Sequence, residues 1–407
     1  MTKVCLSCHE PHVRPLLDFG PVPLTNRFRS PIEAAAPAES FRLKLGQCGR
    51  CGLTQLIDPP SAATVRAKVP WIAYQEPESH LDDLVDRLLK LSGVGRRSVG
   101  VGLSSKDDTT LRRLRVRGLG NVWRIDPAGD LGVDEPCAGL ESVAERFDVD
   151  VVARIVEAAG PADIVIARHL LEHVSDLPRF VSAVKRLVRP GGFVVWEVPD
   201  CARSLELGDY TMPWEEHLAY FTTTTLRLTL EAAGFEMESL VAYPYARENS
   251  LVAICRIGSV GRIAAAPREL LEEELTLANR YADAFGPRQA KCEEYVSRVV
   301  EQDGKIAVFG GGHASVMFLQ LMRLTPYVAV CFDDDPNKQG LLLPGTSIPI
   351  RPSHELATCD ARLCLLGIGP DAQRRVSEKH AGFAATGGRF ASLFPADAGS
   401  LAALVGS

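Results

Sequence analysis

Four cysteines near the N-terminus are the feature that most constrains how this chain can fold. They form two C-x-x-C turns, Cys5–Cys8 and Cys48–Cys51, with residues 9–47 between them. Each turn directs two thiolates towards one point, so two turns complete a tetrahedron around Zn²⁺. Gly49 and Gly52 favour the second turn, because such turns need positive φ and close approach of backbone N–H groups to sulfur. We predict structural zinc bound by Cys5, Cys8, Cys48 and Cys51. Four thiolates leave no open position for a catalytic water.

A redox-active cysteine pair is the alternative interpretation of these turns. A thioredoxin-like C-x-x-C follows a strand inside a βαβ unit, whereas residues 1–60 are rich in proline and lack that pattern. The chain has 11 cysteines, an odd number that does not suit a complete disulfide framework. The cysteines outside the two turns are scattered in mostly apolar stretches, which indicates small buried side chains.

Length and charge narrow the class of protein. A chain of 407 residues exceeds one hydrophobic core, which predicts two to three domains. The formal charge is −6 without a basic stripe, so nucleic acid is not expected as the main partner. No apolar run reaches the ~20 residues of a membrane helix, and the N-terminus lacks the apolar core of a secretory signal. We therefore expect a cytoplasmic protein with no membrane association.

From about residue 81 the hydrophobic pattern alternates between helix and strand. Strands are predicted at 98–102, 121–126, 163–167 and 193–198, with helices at 81–89, 111–117 and 180–188. Strands separated by helices indicate a parallel, doubly wound α/β sheet. Such a sheet binds its ligands outside the carboxyl ends of the strands.

Candidate cofactor-binding residues stand at these predicted strand ends. Gly100 and Gly102 end the first strand, and Ser104 follows in the loop. Two glycines alone are typical of any tight turn, but Asp126 ends the next strand, where a carboxylate can accept hydrogen bonds from both hydroxyls of a ribose. The segment 166–173, with Arg168 and His169, follows the third strand and is expected to border the cofactor.

The segment Trp214–Thr222 carries the densest set of chemically active side chains. Histidine titrates near neutral pH, so His217 can take a proton from a carbon acid or a hydroxyl. A neighbouring glutamate such as Glu216 can orient it, and Tyr220 can donate to a developing oxyanion. The alternative interpretation is the N-terminal region of a helix, with solvated charges and a packed aromatic side chain. The residues alone leave both interpretations open.

The pattern in the last third of the sequence predicts a second, smaller α/β unit. A long helical stretch at 267–303 precedes a strand at 305–309, a glycine turn at 310–312 and another helix. Further strands are predicted at 328–332, ending at Asp333, and at 363–367. A glycine turn that leads into a helix N-terminus can bind a nucleotide phosphate, although a purely structural turn has the same pattern.

Together these motifs resemble the sugar 3-C-methyltransferases that act on dTDP-4-keto-deoxyhexoses. The resemblance covers nearly the whole chain. It rests on the cysteine pairs, Glu216-His217-x-x-Tyr220, the L-x-x-P-G-G-x-x-x-x-E run of class I S-adenosylmethionine (SAM) methyltransferases at 187–197, Phe309-Gly-Gly-Gly, Asp333-Asp-Asp-Pro-Asn-Lys-Gln-Gly340 and Leu343-Pro-Gly345. It implies a zinc-binding domain at 1–69, a class I SAM methyltransferase domain with a doubly wound sheet at 70–245, and a C-terminal Rossmann-like substrate-binding domain at 246–407.

The resemblance also implies roles for individual residues. His217 is the base that removes the C3 proton next to the 4-keto group, Glu216 orients it, and the resulting enolate attacks the methyl group of SAM. Tyr220 lies nearby, and Tyr74 reaches the active site from the zinc-domain side. Candidate residues for binding the nucleotide sugar are Asn249, Gly311, His313 and Asp333. The implied cofactors are SAM and structural Zn²⁺.

Three segments depart from the family pattern. The loop at 100–108 is longer and poorer in glycine than the usual E-I-G-S-N-D-G and lacks its acidic residue. Trp214 replaces a tyrosine three residues before His217, and Arg247–Ser250 replaces H-G-G-S. These departures keep alternatives open: methylation of another carbon acid or a hydroxyl, a non-methylating SAM-binding enzyme, or a binding protein without activity.

Overall fold

Three β-sheets follow one another along the chain. The computed structural model describes residues 3–72, 76–258 and 266–406. The predicted α/β class, with a central methyltransferase sheet between an N-terminal cysteine-bearing unit and a C-terminal Rossmann-like unit, is confirmed. Tyr74 lies outside the described residues.

The N-terminal unit is built on an antiparallel sheet. Its own elements are β1 (Val13–Pro23), β2 (Ser40–Cys48), β3 (Thr54–Leu56) and the short helix α1 (Ala62–Val65). The side chain of Ser61 starts α1 by accepting a hydrogen bond from the backbone N–H of Thr64. Strand β2 lies between β1 and β3, and it carries Cys48 at its end.

The central unit contains a mixed six-stranded sheet with helices on both faces. Its elements are α2 (Leu81–Leu88), β4 (Val99–Gly102), α3 (Asp108–Val116), β5 (Asn121–Arg124), α4 (Leu140–Arg146), α5 (Val149–Ala159), β6 (Ala162–Arg168), α6 (Leu177–Leu187), β7 (Val188–Asp200), α7 (Ala202–Leu207), β8 (Ala219–Tyr220), α8 (Thr223–Ala232), β9 (Phe235–Tyr243) and β10 (Asn249–Ile257). The strand order is β5-β4-β6-β7-β10-β9. Strands β5, β4, β6 and β7 are parallel, so their carboxyl ends share one edge.

Strand β10 lies just after the predicted boundary at 245/246 but belongs to the central sheet. It pairs antiparallel with β7 on one side and β9 on the other. Leu251 and Ala253 pack into the core on one face of the sheet, and Val252 and Ile254 into the core on the other. A strand buried on both faces belongs to the interior of a sheet, so β10 is part of the central sheet, and the predicted domain boundary stays a prediction. The sheet is also mixed rather than wholly parallel.

The C-terminal unit is a five-stranded parallel sheet flanked by helices. Its elements are α9 (Arg268–Asp303), β11 (Ile306–Phe309), α10 (His313–Leu321), β12 (Val328–Phe332), β13 (Ile350–Arg351), β14 (Leu363–Leu366), α11 (Pro370–Lys379), α12 (Ala381–Ala385), β15 (Arg389–Ser392) and α13 (Leu401–Val405). The strand order is β13-β12-β11-β14-β15. The glycine turn at 310–312 links β11 to α10 at the carboxyl end of the sheet.

One short strand joins the N-terminal and central units. Strand β8 lies in the central part of the sequence, but it pairs with β3 as the fourth strand of the N-terminal sheet. In this pairing Tyr220 lies opposite Thr54. The segment that carries His217 therefore leads directly into the N-terminal sheet. Within the described ranges, no helix is both long and apolar enough to span a membrane.

Candidate active site and zinc centre

The four N-terminal cysteines converge on one point. All four side chains are buried, and their sulfur atoms lie within 4.8 Å of one another. The Sγ atoms of Cys5 and Cys51 are 3.6 Å apart, as are those of Cys8 and Cys48. Four sulfurs placed tetrahedrally at about 2.3 Å from Zn²⁺ would be about 3.8 Å apart. The donor set therefore fits a structural zinc ion with four thiolate ligands.

Glycine has a specific task in the second turn of this centre. Gly52 has φ +80°, and its backbone N–H donates to the carbonyl oxygen of Cys48 at 3.0 Å. A Cβ at this position would lie 2.8 Å from the Cβ of Glu274. The predicted positive φ is confirmed for Gly52 but not for Gly49, whose N–H instead donates to the carbonyl oxygen of His12 at 3.0 Å.

The predicted cofactor loop after β4 is organised around a buried carboxylate. Asp107 accepts hydrogen bonds from the backbone N–H groups of Leu103 and Ser104 at 2.8 Å each. The Ser104 side chain accepts from the N–H of Lys106, which starts a short 3-10 helix. A Cβ at Gly102 would lie 2.7 Å from the Cβ of Asp107, so this close packing requires glycine. Gly100 lies buried earlier in the same strand.

This arrangement bears on how SAM fits the loop. A glycine-rich loop binds an anionic or polar ligand through backbone N–H groups that have no other partner. Here the N–H groups of Leu103 and Ser104 already donate to Asp107, so the loop does not fit SAM in that way. Burial raises the pKa of Asp107 to about 7, although its backbone hydrogen bonds oppose that shift.

Asp126 fits the ribose end of SAM better. It is exposed just beyond β5, at the edge of the sheet where ligands bind. Its Oδ2 accepts a hydrogen bond from the N–H of Gly129 at 2.6 Å, which holds the carboxylate in place. Asp126 would accept hydrogen bonds from the ribose hydroxyls of SAM, and SAM supplies the electrophilic methyl group.

Arg168 and His169 are held by an acidic partner that the sequence analysis did not assign. Glu197 is fully buried in β7, where it forms an ion pair with Arg168 (Nε–Oε2 2.5 Å) and contacts Nε2 of His169 at 3.1 Å. His169 has φ +48°, an uncommon conformation for a residue with a side chain. Burial lowers the pKa of His169, but the adjacent carboxylates of Glu172 and Glu197 outweigh it and raise the pKa to about 10.

The predicted catalytic loop is shaped by contacts that differ from the prediction for Glu216 and Tyr220. Glu216 accepts a hydrogen bond from the Asn26 side chain at 3.3 Å, and its orientation of His217 stays a prediction. Burial, with the nearby Glu215, raises the pKa of Glu216 well above its ordinary value. The Tyr220 hydroxyl accepts from the N–H of Trp214 at 3.1 Å and donates to its carbonyl oxygen at 3.3 Å. The Tyr220 hydroxyl therefore links the two ends of the segment between Trp214 and Tyr220.

The N-terminal unit supports this loop from behind. Glu215 is fully buried, and its Oε1 accepts hydrogen bonds from the backbone N–H of Thr25 at 2.6 Å and from its hydroxyl at 2.9 Å. The same hydroxyl accepts from Nε1 of Trp214 at 3.2 Å. One threonine of the cysteine-bearing unit thus fixes two consecutive residues of the loop that carries His217.

His217 lies against two residues that the sequence analysis did not select. Glu172 and His173 end a 3-10 helix after β6, and their ligand atoms lie within 4.8 Å of one another and of a His217 ring nitrogen. The imidazole rings of His173 and His217 meet edge to face, with centroids 5.0 Å apart. Burial, together with the neighbouring imidazoles of His173 and His313, lowers the pKa of His217 well below its ordinary value.

The C-terminal unit contributes one of its predicted substrate residues to this place. His313, at the start of α10, stacks on Trp214 with ring centroids 4.6 Å apart, and Trp214 also packs against His217 at 4.8 Å. Burial lowers the pKa of His313 to about 4. The central and C-terminal units therefore meet at Trp214, and His217 and His313 flank its ring.

The other predicted substrate residues are engaged with protein groups. Asp333 accepts from the N–H of Gly311 at 2.8 Å and from the ammonium group of Lys338 at 2.9 Å, which shapes the glycine turn. The Asn249 amide donates to Asp200 at 3.2 Å. Their contact with a substrate stays a prediction.

Comparison with known proteins divides the chain in the same three parts. A zinc binding domain model matches residues 5–64, a methyltransferase domain model matches 75–240, and a C-methyltransferase C-terminal domain model matches 246–395. The C-methyltransferase NovU of Streptomyces niveus is 23% identical over 356 residues, which cover 85% of this chain and 84% of NovU. These matches agree with the cysteine centre and the two larger sheets described above, except that the C-terminal model begins before β10 of the central sheet.

A second relative matches the central unit. The ubiquinone biosynthesis O-methyltransferase of Methylobacterium nodulans is 27% identical over 158 residues, which cover 36% of this chain and 64% of that enzyme. The three-part match and the likeness to NovU set this chain apart from methyltransferases that share the central sheet. With its four-thiolate zinc centre, its methyltransferase sheet and its C-methyltransferase C-terminal unit, the chain is a SAM-dependent C-methyltransferase.

Proposed function

We propose that this protein transfers the methyl group of SAM to the carbon next to the keto group of a nucleotide-linked deoxysugar. The observation that carries the proposal is the meeting of two units at Trp214. His217 from the central unit and His313 from the C-terminal unit flank its ring, within reach of Glu172 and His173. A keto sugar placed here would face several imidazole groups at once, which suits removal of an acidic proton and stabilisation of an enolate.

The nucleotide part of the substrate is assigned to the C-terminal unit. His313 directly follows the glycine turn at 310–312 and begins α10. The N-terminus of a nine-residue helix carries partial positive charge and favours a diphosphate. The sugar of such a nucleotide would then lie towards Trp214. The resemblance to dTDP-sugar methyltransferases supports the same assignment, and the base role of His217 stays a prediction.

The test is incubation with methyl-labelled SAM and a panel of dTDP-linked 4-keto-deoxysugars, followed by mass spectrometry. We expect transfer of label and a mass increase of one methylene unit for a keto sugar. The matched control is dTDP-glucose, which lacks the ketone and should gain no label. Label on a hydroxyl oxygen of a sugar without a ketone would contradict C-methylation.

A second measurement separates deprotonation from methyl transfer. Incubation of the keto sugar in D₂O without SAM should exchange the proton next to the ketone, as NMR would show. Proton exchange without methylation after SAM is added would show that the protein deprotonates the sugar but does not bind SAM or does not transfer its methyl group. Absence of both would mean that keto sugars are not the substrate.

A further inference from the structure

The side chain of Arg247 extends from the central unit into the C-terminal unit. Arg247 stands in the loop between β9 and β10, and its side chain is 19% exposed. The guanidinium lies over the ring of Phe394, with Cζ 3.2 Å from the ring centroid. Its Nη2 donates to the carbonyl oxygen of Ile368 and lies 3.7 Å from Oδ2 of Asp397. A guanidinium that stacks on an aromatic ring and also pairs with oxygen acceptors makes a directional contact.

The C-terminal unit holds the acceptors of this guanidinium in place by itself. The Gln373 side-chain amide donates to the carbonyl oxygen of Ile368 at 3.0 Å and to Oδ2 of Asp397 at 2.9 Å. The hydroxyl of Ser392 donates to the same Oδ2 at 2.6 Å. Burial lowers the pKa of Arg247 to about 10, although Asp397 opposes that shift, so the guanidinium stays charged at neutral pH.

The contact of Arg247 lies next to the glycine turn that precedes α10. Ile368 packs so closely on this turn that a Cβ at Gly310 would collide with its Cγ2. The turn leads into His313, which stacks on Trp214. A displacement of Ile368 would therefore displace the start of α10 and, with it, the ring that faces Trp214.

Helix α9 makes another contact between the same two units. Tyr210, which follows α7, packs its ring against Tyr281 and Phe285 of α9, with ring centroids 4.7 Å and 5.1 Å apart. Relative motion is the default expectation for two units of one chain, and a single contact region leaves them free to rotate about it. The contact of Arg247, at the carboxyl end of the C-terminal sheet, adds a point that restricts this rotation.

We propose that Arg247 is a positioning residue that holds the C-terminal unit in register with the central unit, so that His313 stays on Trp214. Its effect on turnover rests on the proposed function, in which a sugar held through its nucleotide by the C-terminal unit must reach the methyl donor in the central unit. A misplacement of about 1 Å can lower a rate about a hundredfold. Loss of the contact would therefore lower turnover without removing a group that touches the substrate.

The experiment follows the fluorescence of Trp214 without any substrate. The chain has four tryptophans, so the emission of Trp214 is taken as the difference between each protein and its Trp214→Phe counterpart. Trp214 is buried, and Arg247→Met should shift its emission to longer wavelength as water reaches the ring. Phe394→Leu breaks the same contact from the C-terminal unit and should give the same shift. The double variant should shift no further, because both substitutions act on one contact.

Arg203→Met is the matched control. Arg203 is half-buried and donates to the carbonyl oxygen of Tyr245 at 3.1 Å, in the loop that carries Arg247 but inside the central unit. This variant should keep the Trp214 emission of the wild type. Arg247→Lys keeps a cation for the ring of Phe394 and should restore part of that emission. Circular dichroism and zinc content verify that each variant is folded. Wild-type emission in folded Arg247→Met, or the same shift in Arg203→Met, would overturn the proposal.

Turnover tests the catalytic consequence separately. With a keto sugar that the wild type methylates, Arg247→Met should lower kcat at least about tenfold. The dissociation constants of SAM and of dTDP, each measured alone, should stay within about twofold, because each ligand is bound by one unit. An unchanged kcat, or a loss of both affinities, would overturn the positioning role. If the wild type methylates no keto sugar, the proposed function fails, and the emission of Trp214 still decides whether Arg247 holds the two units in register.

Discussion

The four-cysteine centre is built from buried side chains and the histidine cluster around Trp214 from buried and half-buried ones, and the two are assembled differently. Each half of the cysteine centre lies within four consecutive residues, and the two halves meet through the pairing of β1 with β2. The histidine cluster draws on the segment after β6, the loop before β8 and the start of α10. The parts from the central unit meet within that unit, and His313 joins them only when the C-terminal unit packs against it.

The two regions are nevertheless connected. Thr25 bonds Glu215 and Trp214, and β3 pairs with β8 directly after the catalytic loop. The cysteine centre thus stabilises the unit that holds the loop, while the loop presents His217. We therefore expect zinc to affect the reaction only through this support, since its four ligands leave no position for a substrate. Substitutions that separate the two regions test this division of tasks.

The largest effect is expected from Cys51→Ser. Losing one of four thiolates should release zinc and lower the free energy of unfolding by about 4 kcal/mol or more, as loss of a metal typically does. Turnover should fall with it, because the loop loses its support. Zinc analysis, thermal unfolding and methyl transfer measure the three effects. Cys137→Ser, a half-buried cysteine outside the centre, is the control. Full turnover in zinc-free Cys51→Ser would mean that the two regions are independent.

A smaller effect is expected when only the link between the regions is cut. Thr25→Val keeps the side-chain shape but removes the hydroxyl that bonds Glu215 and Trp214. The buried polar groups left behind should cost about 2 kcal/mol of stability, and turnover should fall while zinc content stays at one per chain. Thermal unfolding, zinc analysis and methyl transfer are the measurements.

Thr25→Ser is the matched variant, since it restores the hydroxyl and should recover most of the turnover. Equal turnover in wild type and Thr25→Val would show that the hydroxyl does not position the loop. Loss of zinc from Thr25→Val would show that the loop, in turn, stabilises the cysteine centre.

The same contrast explains what the sequence could predict. Short-range patterns foretold the cysteine ligands, the strands of the central sheet and the turn at 310–312, because spacing and hydrophobic periodicity are local properties. The position of Glu172 beside His217 could not be predicted, although Glu172 stands in the segment 166–173 that was expected to border the cofactor, because only the tertiary fold brings it to His217. The antiparallel position of β10 was missed for a similar reason: an apolar run shows burial but not pairing direction.

Glu216 was predicted to orient His217, and that role stays a prediction. Its position next to His217 in the sequence suggested a pair, yet consecutive residues outside a helix commonly point in different directions, and its carboxylate reaches Asn26. Adjacency in the sequence was a poor guide to contact here, whereas the i to i+3 cysteine spacing was a good one, because ligands in a tight turn must face the same point.

The smallest effect is expected from Tyr220→Phe. This substitution lies in the loop where the predicted contacts differ most from the observed ones. The substitution removes a hydroxyl that bonds the backbone N–H and carbonyl of Trp214, so stability should fall by about 1 kcal/mol. Turnover should fall by less than about tenfold, because the loop loosens but no reacting group is lost.

Tyr210→Phe is the control, because it removes a buried hydroxyl that is bonded to the carbonyl of Tyr281. It should lower the stability as much as Tyr220→Phe does without changing the contacts of the loop. A loss of turnover of about a hundredfold or more in stable Tyr220→Phe would mean that the hydroxyl reaches the substrate. In that case the sequence would have predicted the role of Tyr220 as directly as it predicted the cysteine ligands.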